Sequence, residues 1–362
     1  METDTFLGFA FILLGAMCGG SFGLPSKFVA KDTPWEVLWG PFFLFVTILI
    51  PVLLFPFIAD GLFATCREAG WGIIIWPVAF GFLWGLGSMT LGLSFAFIGL
   101  SLAYAINYGG QIILGSMGPI LIHTPGELAQ THGYVIMAGV AICLAGVVVC
   151  GKAAILKSQS AEGGDAEKKR DGATMMKGLI VAFLSGLLCA CYSIAFSFGG
   201  DVMKISEASF GNAPWRTTFV VTALVLWGGA FSSLAYCGFK LTKNQTWGQL
   251  TKPGILKTLV IALIMALLHD GAILFWGLGA SRLGALGVGV GYAVFMSFAI
   301  IVGNVNGFLT GEWKKASQQS IRWIAAGIAV LVIGVSVLAK GNIMKAGAAP
   351  EAEPQQQQLA EQ

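Results

Sequence analysis

Long runs of apolar residues, separated by short polar stretches, recur along most of the chain. Each run is long enough to cross about 30 Å of hydrocarbon at about 1.5 Å per residue. Their length favours membrane-spanning helices over buried strands. The ten predicted spans cover residues 6–28, 35–58, 71–97, 101–122, 133–151, 176–198, 217–239, 256–280, 285–308 and 323–338.

The most highly charged segment, residues 162–171, divides the spans into two sets of five. Because five is odd, two homologous halves would insert in opposite orientations. Glycines recur at equivalent places in the halves, as in Gly15-Ala-Met-Cys18 of span one and Gly186-Leu-Leu-Cys189 of span six. Inverted repeats of this kind are typical of secondary transporters.

These observations predict an all-α polytopic membrane protein with ten transmembrane helices in a five-plus-five inverted repeat. Its expected parts are a first repeat (residues 1–151), a charged cytoplasmic linker (152–175), a second repeat (176–339) and a disordered tail (340–362).

The composition supports a membrane protein and argues against several other classes. The chain is 56% hydrophobic and 11% charged, with a mean hydropathy of +0.80, whereas soluble domains carry about 25% charged residues. The 50 glycines suit close helix packing in lipid. A net charge of +3 does not indicate a nucleic-acid partner. The seven cysteines lie mostly at apolar positions, which indicates neither a disulfide framework nor a metal site, and no cofactor is expected.

The basic residues predict the orientation. Most of the 21 Lys and Arg residues lie in connections that follow odd-numbered spans, especially between spans five and six. By the positive-inside rule that side is cytoplasmic, which places both termini outside. The acidic N-terminus, residues 1–5, lacks the basic region of a signal peptide, so the first span is expected to be retained.

Two polar motifs have ordinary interpretations. Gly146 and Lys152 have the spacing of a phosphate-binding loop, but Ala153 stands where a magnesium-binding Ser or Thr is required. This favours transport driven by an ion gradient rather than by ATP. The segment His123 to His132, which includes Glu127, fits no zinc spacing and is predicted to be a solvated loop.

Asp270 is the one acidic residue well inside a predicted span, and His269 precedes it near the middle of span eight. An ionisable group at this depth costs several kcal/mol unless it faces a cavity or a partner. The pair is either a silent, hydrogen-bonded structural element or a proton-coupling site. We favour Asp270 as the proton carrier and His269 as its modulator, and expect that these consecutive residues need not touch.

Span four carries Tyr104, Asn107, Tyr108 and Gln111, whose spacing places them on one helix face. Lipid disfavours such a face, so it is expected to point into the bundle. Amides and phenols bind polar solutes, but they also bond helices together. The candidate substrate-binding residues are Trp84, Tyr104, Asn107, Gln111 and Tyr292, where Trp84 and Tyr292 are the repeat counterparts of His269 and Asn107.

Several short segments between spans one and ten form a recognisable set. They are Pro25-Ser-Lys27, Trp35-Glu36-Val-Leu-Trp39, Leu83-Trp84-Gly85-Leu-Gly87, Gly279 with Arg282, and Gly311-Glu312-Trp313-Lys314. On these segments the chain resembles the L-rhamnose–proton symporter family of the drug/metabolite transporter superfamily. The motif residues that carry the resemblance are Lys27, Trp35, Glu36, Trp39, Arg282, Glu312 and Trp313.

The resemblance implies proton-driven uptake of a sugar such as L-rhamnose, or of a similar small polar solute, across a bacterial inner membrane. Its partners would be the solute, protons and the lipid bilayer. One alternative is a metabolite or drug exporter of the same superfamily. Another is an intramembrane enzyme that uses His269 and Asp270, although the sequence shows no converging nucleophile or metal ligands.

Overall fold

The computed structural model describes residues 2–160, 172–283 and 291–348, and all regular elements within these ranges are helical. Apolar helices satisfy their backbone hydrogen bonds internally, as lipid requires. The α-helices are α1 Glu2–Ser21, α2 Trp35–Leu44, α3 Ile50–Leu53, α4 Phe55–Ile58, α5 Leu62–Ile98, α6 Leu100–His123, α7 Thr131–Ser160, α8 Gly172–Cys189, α9 Cys191–Phe198, α10 Gly200–Phe210, α11 Pro214–Lys243, α12 Ile255–Leu283, α13 Tyr292–Leu309 and α14 Gln318–Ala348.

Every predicted span overlaps one or more of these helices. Within the described ranges, eight helical segments are long and apolar enough to cross a membrane, and Val294–Leu309 is a shorter apolar segment. Span four corresponds to α6, which has 24 residues but is more polar than the eight segments and is not one of them. Span nine was predicted from residue 285, and residues 284–290 lie outside the described ranges. The structure therefore supports a multi-pass helical membrane protein.

Several of the long apolar segments are interrupted, and three of these interruptions bear on the site. In α5, Gly70 has φ 70° and ψ 168°, so the part that begins at Trp71 is a separate helix. At Ala190 one membrane segment divides into α8 and α9. The first segment divides likewise, since α1 ends at Ser21 and a 3-10 helix follows over Leu24–Phe28. Such breaks expose backbone groups and allow side chains to converge.

Several pairs of helices pack along each other. α1 lies along α12 and α13, while α8 lies along α5 and α6. α2 contacts α12, α5 contacts α11, and α7 lies along α14. Glycines permit the closest approaches: a Cβ on Gly279 would lie 2.6 Å from the carbonyl oxygen of Gly8. Larger residues would separate these backbones.

The ends of the helices form two opposite faces. On the first face, Lys27 after α1 pairs with Glu312 after α13, with 2.6 Å between Nζ and Oε1. Glu36 at the start of α2 accepts hydrogen bonds from Asn244 and Thr246 after α11, at 2.8 and 2.9 Å. Connections distant in sequence therefore meet on this face.

The second face lies at the other ends of the same helices. Arg216 at the start of α11 pairs with Asp60 before α5, with 3.0 Å between Nη2 and Oδ2. Lys345 near the end of α14 pairs with Glu127 before α7 at 2.5 Å. The hydrogen bond and charge of Lys345 lower the pKa of Glu127 below its ordinary value.

Two local features add detail to the sequence prediction. The segment from His123 to His132 is largely exposed, as predicted, but it forms a 3-10 helix over Pro125–Ala129, and His132 at the start of α7 is buried, 3.8 Å from Glu127. In addition, α7 continues to Ser160, past the predicted span end at Gly151. Packing against α14 continues the helix where the hydropathy pattern weakens.

Candidate functional site

His269 and Asp270 lie in the middle of α12 and contact each other directly. His269 Nδ1 is 2.8 Å from Asp270 Oδ1, and the Asp270 side chain is 5% exposed. Consecutive residues of a helix need not touch, but here the two side chains turn toward each other. The hydrogen bond fixes the imidazole orientation and links the two titratable groups.

Four rings form what we call the aromatic row: Phe22, His269, Trp84 and Tyr192. The ring centroids of Phe22 and His269 are 5.5 Å apart, those of His269 and Trp84 5.7 Å, and those of Trp84 and Tyr192 6.3 Å. Phe22 and Tyr192 come from the breaks that follow Ser21 and Ala190, whereas Trp84 and His269 lie inside helices, Trp84 in the part of α5 after Gly70 and His269 in α12. The row thus joins both halves of the protein.

Polar atoms lie beside the aromatic row. Within the described ranges, the buried Oδ2 of Asp270 has no hydrogen-bond partner. The hydroxyl oxygens of Tyr192 and Thr222 lie 2.9 Å apart. A buried polar group without a partner costs free energy, which a bound proton or a polar ligand would recover. The surroundings of Asp270 are therefore suited to proton binding.

The polar face of α6 divides into two sets of contacts. Tyr104 is fully buried, and its hydroxyl accepts a hydrogen bond from the Gly23 amide at 2.8 Å. Tyr108 stacks on Tyr104 at 5.6 Å and donates a hydrogen bond to the Gly19 carbonyl at 2.9 Å. Both phenols thus hold α6 against the end of α1.

Asn107 and Gln111 form the second set. Asn107 Nδ2 donates to Ser185 Oγ at 2.7 Å, and Gln111 Nε2 donates to Asn107 Oδ1 at 2.6 Å. Ser185 Oγ in turn donates to the Gly87 carbonyl at 3.0 Å. This chain of hydrogen bonds joins α6, α8 and α5, one helical turn from Trp84.

The predicted residue Tyr292 begins α13, and its side chain lies outside the described part of the structure. Sequence reasoning missed Phe22, Tyr192 and Thr222. Phe22 follows two glycines and a serine near the end of an apolar run, and Tyr192 follows a cysteine pair. Neither environment differs from ordinary membrane sequence, so no local signal identified them.

The motif residues Lys27, Glu312 and Trp313 converge on the first face. Glu312 Oε1 accepts from the Leu100 amide at 2.7 Å, and its Oε2 accepts from the Ser101 amide at 3.1 Å. Glu312 therefore caps α6 as well as pairing with Lys27. Burial raises the pKa of Glu312, but the hydrogen bonds and the Lys27 charge outweigh this effect and hold the pKa below its ordinary value.

The chain needs a glycine beside this carboxylate. Gly99 links α5 to α6 with φ 83°, and a Cβ on it would lie 2.9 Å from the Glu312 carboxyl carbon. Trp313 Nε1 donates to Ser101 Oγ at 3.0 Å, and the Lys157 ammonium lies 4.4 Å from the Trp313 ring centroid. The motif thus connects α1, α6, α7 and α13.

The remaining motif residues lie at the helix ends. Trp35 stacks on Trp39 with 5.8 Å between centroids, beside the hydrogen-bonded Glu36. The Arg282 guanidinium lies 4.9 Å from the Phe11 ring centroid at the end of α12. These contacts indicate packing roles rather than direct contact with the aromatic row.

No group of three or more His, Cys, Asp or Glu residues in the described ranges could hold a metal ion. Two surface grooves lie elsewhere. One is apolar, has a volume of about 230 Å³ and is lined by residues that include Ile106, Val147 and Phe183. The other is lined by His132 and its neighbours. Neither groove includes a ring of the aromatic row.

Comparison with known proteins gives a consistent result. The family described as L-rhamnose-proton symport protein (RhaT) matches residues 1–345. An L-rhamnose-proton symporter of Cronobacter sakazakii is 25% identical over 351 residues, which cover 94% of this chain and 99% of that protein. One of Salmonella typhi is 25% identical over 354 residues, with the same coverage. No solved structure matches the chain.

Proposed function

Because this chain belongs to the L-rhamnose-proton symport protein family, we propose that it is a symporter of L-rhamnose or a similar sugar with protons. The observation that carries the proposal is the family match over both sets of helices, together with a buried carboxylate beside an aromatic row. The family is one of transporters, so the chain is not an enzyme.

The proposed fold is the ten-helix inverted repeat of the drug/metabolite transporter superfamily, with the repeats and linker bounded as in the sequence prediction. The helix pairs support this arrangement. If the two halves are exchanged, the pair α1–α12 becomes the pair α8–α5, and the pair α2–α12 becomes the pair α11–α5. All four pairs are in contact in the structure. The breaks after Ser21 and at Ala190 fall in equivalent first helices.

The proposed coupling site is Asp270 with His269. The carboxylate is buried, and one oxygen is held by the imidazole while the other lies free of hydrogen bonds from the described residues. A proton on Asp270 would neutralise the pair before the protein changes its conformation. Release on the other side would restore the charge, which couples proton movement to the state of the site.

The proposed sugar site lies beside this pair. The Trp84 ring would pack against the apolar face of the sugar, while the amides of Asn107 and Gln111 would bind hydroxyl groups. Tyr104 would support the site through its contact with Gly23. Tyr292 completes the proposed set as the repeat counterpart of Asn107.

Replacement of Asn107 by Leu is expected to lower sugar uptake about tenfold while protein abundance falls less than twofold. The reason is that the lost amide would bind the sugar in addition to its hydrogen bond with Ser185. Uptake per molecule in membranes measures the effect. Ser185→Ala is the matched control, since it removes the interhelical bond and keeps the amide. Equal losses of uptake in the two variants would assign Asn107 to helix packing alone.

The first face is proposed to be cytoplasmic in a bacterial inner membrane, with both termini outside. A cysteine at Ser158 near the end of α7 should then resist an impermeant thiol reagent in intact cells, in a cysteine-free background. A cysteine at Gly126 on the second face should react readily, since no described atom outside Gly126 and its two chain neighbours lies within 4 Å of its Cβ position. The reverse labelling pattern would invert the proposed orientation.

Purified protein in liposomes tests the function directly. An imposed inward proton gradient should drive accumulation of labelled L-rhamnose, and addition of L-rhamnose without a gradient should raise the external pH. Uptake that ignores the proton gradient would contradict symport. Accumulation of a different sugar but not L-rhamnose would retain symport and change the substrate.

A further inference from the structure

Tyr192 occupies a distinctive place in the fold. It is the second residue of α9, directly after the break at Ala190. Discontinuous membrane helices commonly border the substrate in secondary transporters. Its position at one end of the aromatic row corresponds to that of Phe22 at the other, since each ring follows a break in the first helix of its half.

The difference between these two rings is a hydroxyl group. Tyr192 Oη lies 2.9 Å from Thr222 Oγ1 on α11, and Thr222 is fully buried. The two hydroxyls carry two hydrogens, of which their mutual hydrogen bond uses one. The described residues provide neither hydroxyl with a second partner. One donor and several lone pairs therefore remain available at a position that Thr222 holds fixed.

The ring of Tyr192 also forms a corner with Trp84. The two planes meet at 60°, with 6.3 Å between centroids. The apolar face of a pyranose packs on an indole ring, and the hydroxyls at the edge of the pyranose can then bond to a polar group that lies beside the indole at an angle to it. Trp84 and Tyr192 together supply these two surfaces.

We infer that Tyr192 contacts the transported sugar and determines its specificity, through a hydrogen bond between the phenol, held by Thr222, and one sugar hydroxyl. The inference rests on the proposed function and adds a residue to the same site. A site built to bond a substrate hydroxyl discriminates strongly against the analogue that lacks it. Phe22, which has no hydroxyl, provides only an apolar wall at the opposite end.

Tyr192→Phe tests the inference, because it removes the hydroxyl and preserves the ring. The measurement is binding of L-rhamnose, and competition by analogues that each lack one hydroxyl, with protein in detergent or liposomes. The variant should bind L-rhamnose about tenfold more weakly. The variant should also lose the discrimination that the wild-type protein shows against the analogue that lacks the bonded hydroxyl. Its discrimination against the other analogues should be unchanged.

Two further variants separate a substrate contact from a structural one. Tyr134→Phe removes a phenol hydroxyl from an exposed residue on the second face and should change nothing. Thr222→Val keeps the phenol without its fixed partner, and should lower affinity about threefold while the same analogue stays disfavoured.

If Tyr192→Phe left the affinity for L-rhamnose unchanged, or lowered the affinity for L-rhamnose and every analogue equally, the inference would be overturned. Symport by the wild-type protein would not be affected by that result. If the wild-type protein bound none of these sugars, the proposed function and this inference would both fall.

Discussion

Replacement of Asp270 by Asn is expected to abolish proton-driven sugar accumulation, while exchange of sugar across the membrane without a gradient continues. An amide matches the shape of the carboxyl and retains one hydrogen-bonding oxygen for His269, but it cannot bind and release a proton. Internal sugar should then reach only the external concentration under an imposed gradient. Uptake and counterflow in liposomes measure the two activities separately.

Asp201→Asn is the matched control for this experiment, because Asp201 is an exposed carboxylate that pairs with Lys204 at 3.0 Å. It should accumulate sugar as the wild-type protein does. If Asp270→Asn still concentrated sugar on a proton gradient, the carrier would be another group. His269 would be tested next, followed by Glu36 and Glu312.

Glu312→Gln is expected to lower the free energy of unfolding by about 3 kcal/mol at pH 7. The carboxylate pairs with Lys27 and accepts two amide hydrogen bonds at the start of α6, and the side chain of Glu312 is 10% exposed. The substitution leaves the partly buried ammonium of Lys27 without its counter-ion. Thermal unfolding in detergent measures the loss.

The pH dependence of this effect has a defined sign. The pKa of Glu312 lies below its ordinary value in the folded protein. Its stabilising contribution is therefore complete above the unfolded carboxyl pKa of about 4.3, and is lost as the pH falls through the folded pKa. The difference between the wild-type protein and Glu312→Gln should decrease below about pH 4. A difference independent of pH would mean that the charge of Glu312 contributes little.

The exposed pair Asp201 and Lys204 again supplies the control. Surface ion pairs contribute little to stability because water screens them. Asp201→Asn should therefore leave the unfolding temperature nearly unchanged both at pH 7 and below about pH 4. A comparable loss in this variant would show that the measurement responds to net charge rather than to the Glu312 contacts.

The sequence anticipated part of the candidate site. The sequence indicates Asp270, His269 and Trp84 because a titratable or amphipathic side chain within a membrane span costs free energy unless it faces a cavity or a polar partner. The structure adds that His269 touches both of the other two. The sequence also indicates the polar face of α6. It does not indicate that part of this face contacts the end of α1 and the other part contacts α8. One helix face carries no information on which neighbours will contact its upper and lower parts.

Hydropathy by itself determined the helical class, the membrane environment and the positions of the eight described segments that are long and apolar enough to cross a membrane. These properties are local, because each span must satisfy its own backbone hydrogen bonds in lipid. The family segments likewise lie within short stretches of sequence. Only the tertiary structure brought Lys27 to Glu312, and Phe22 and Tyr192 to the aromatic row. Helices that are apolar on every side show no periodic pattern to orient them, so glycine contacts and ring packing between distant segments decided which faces meet.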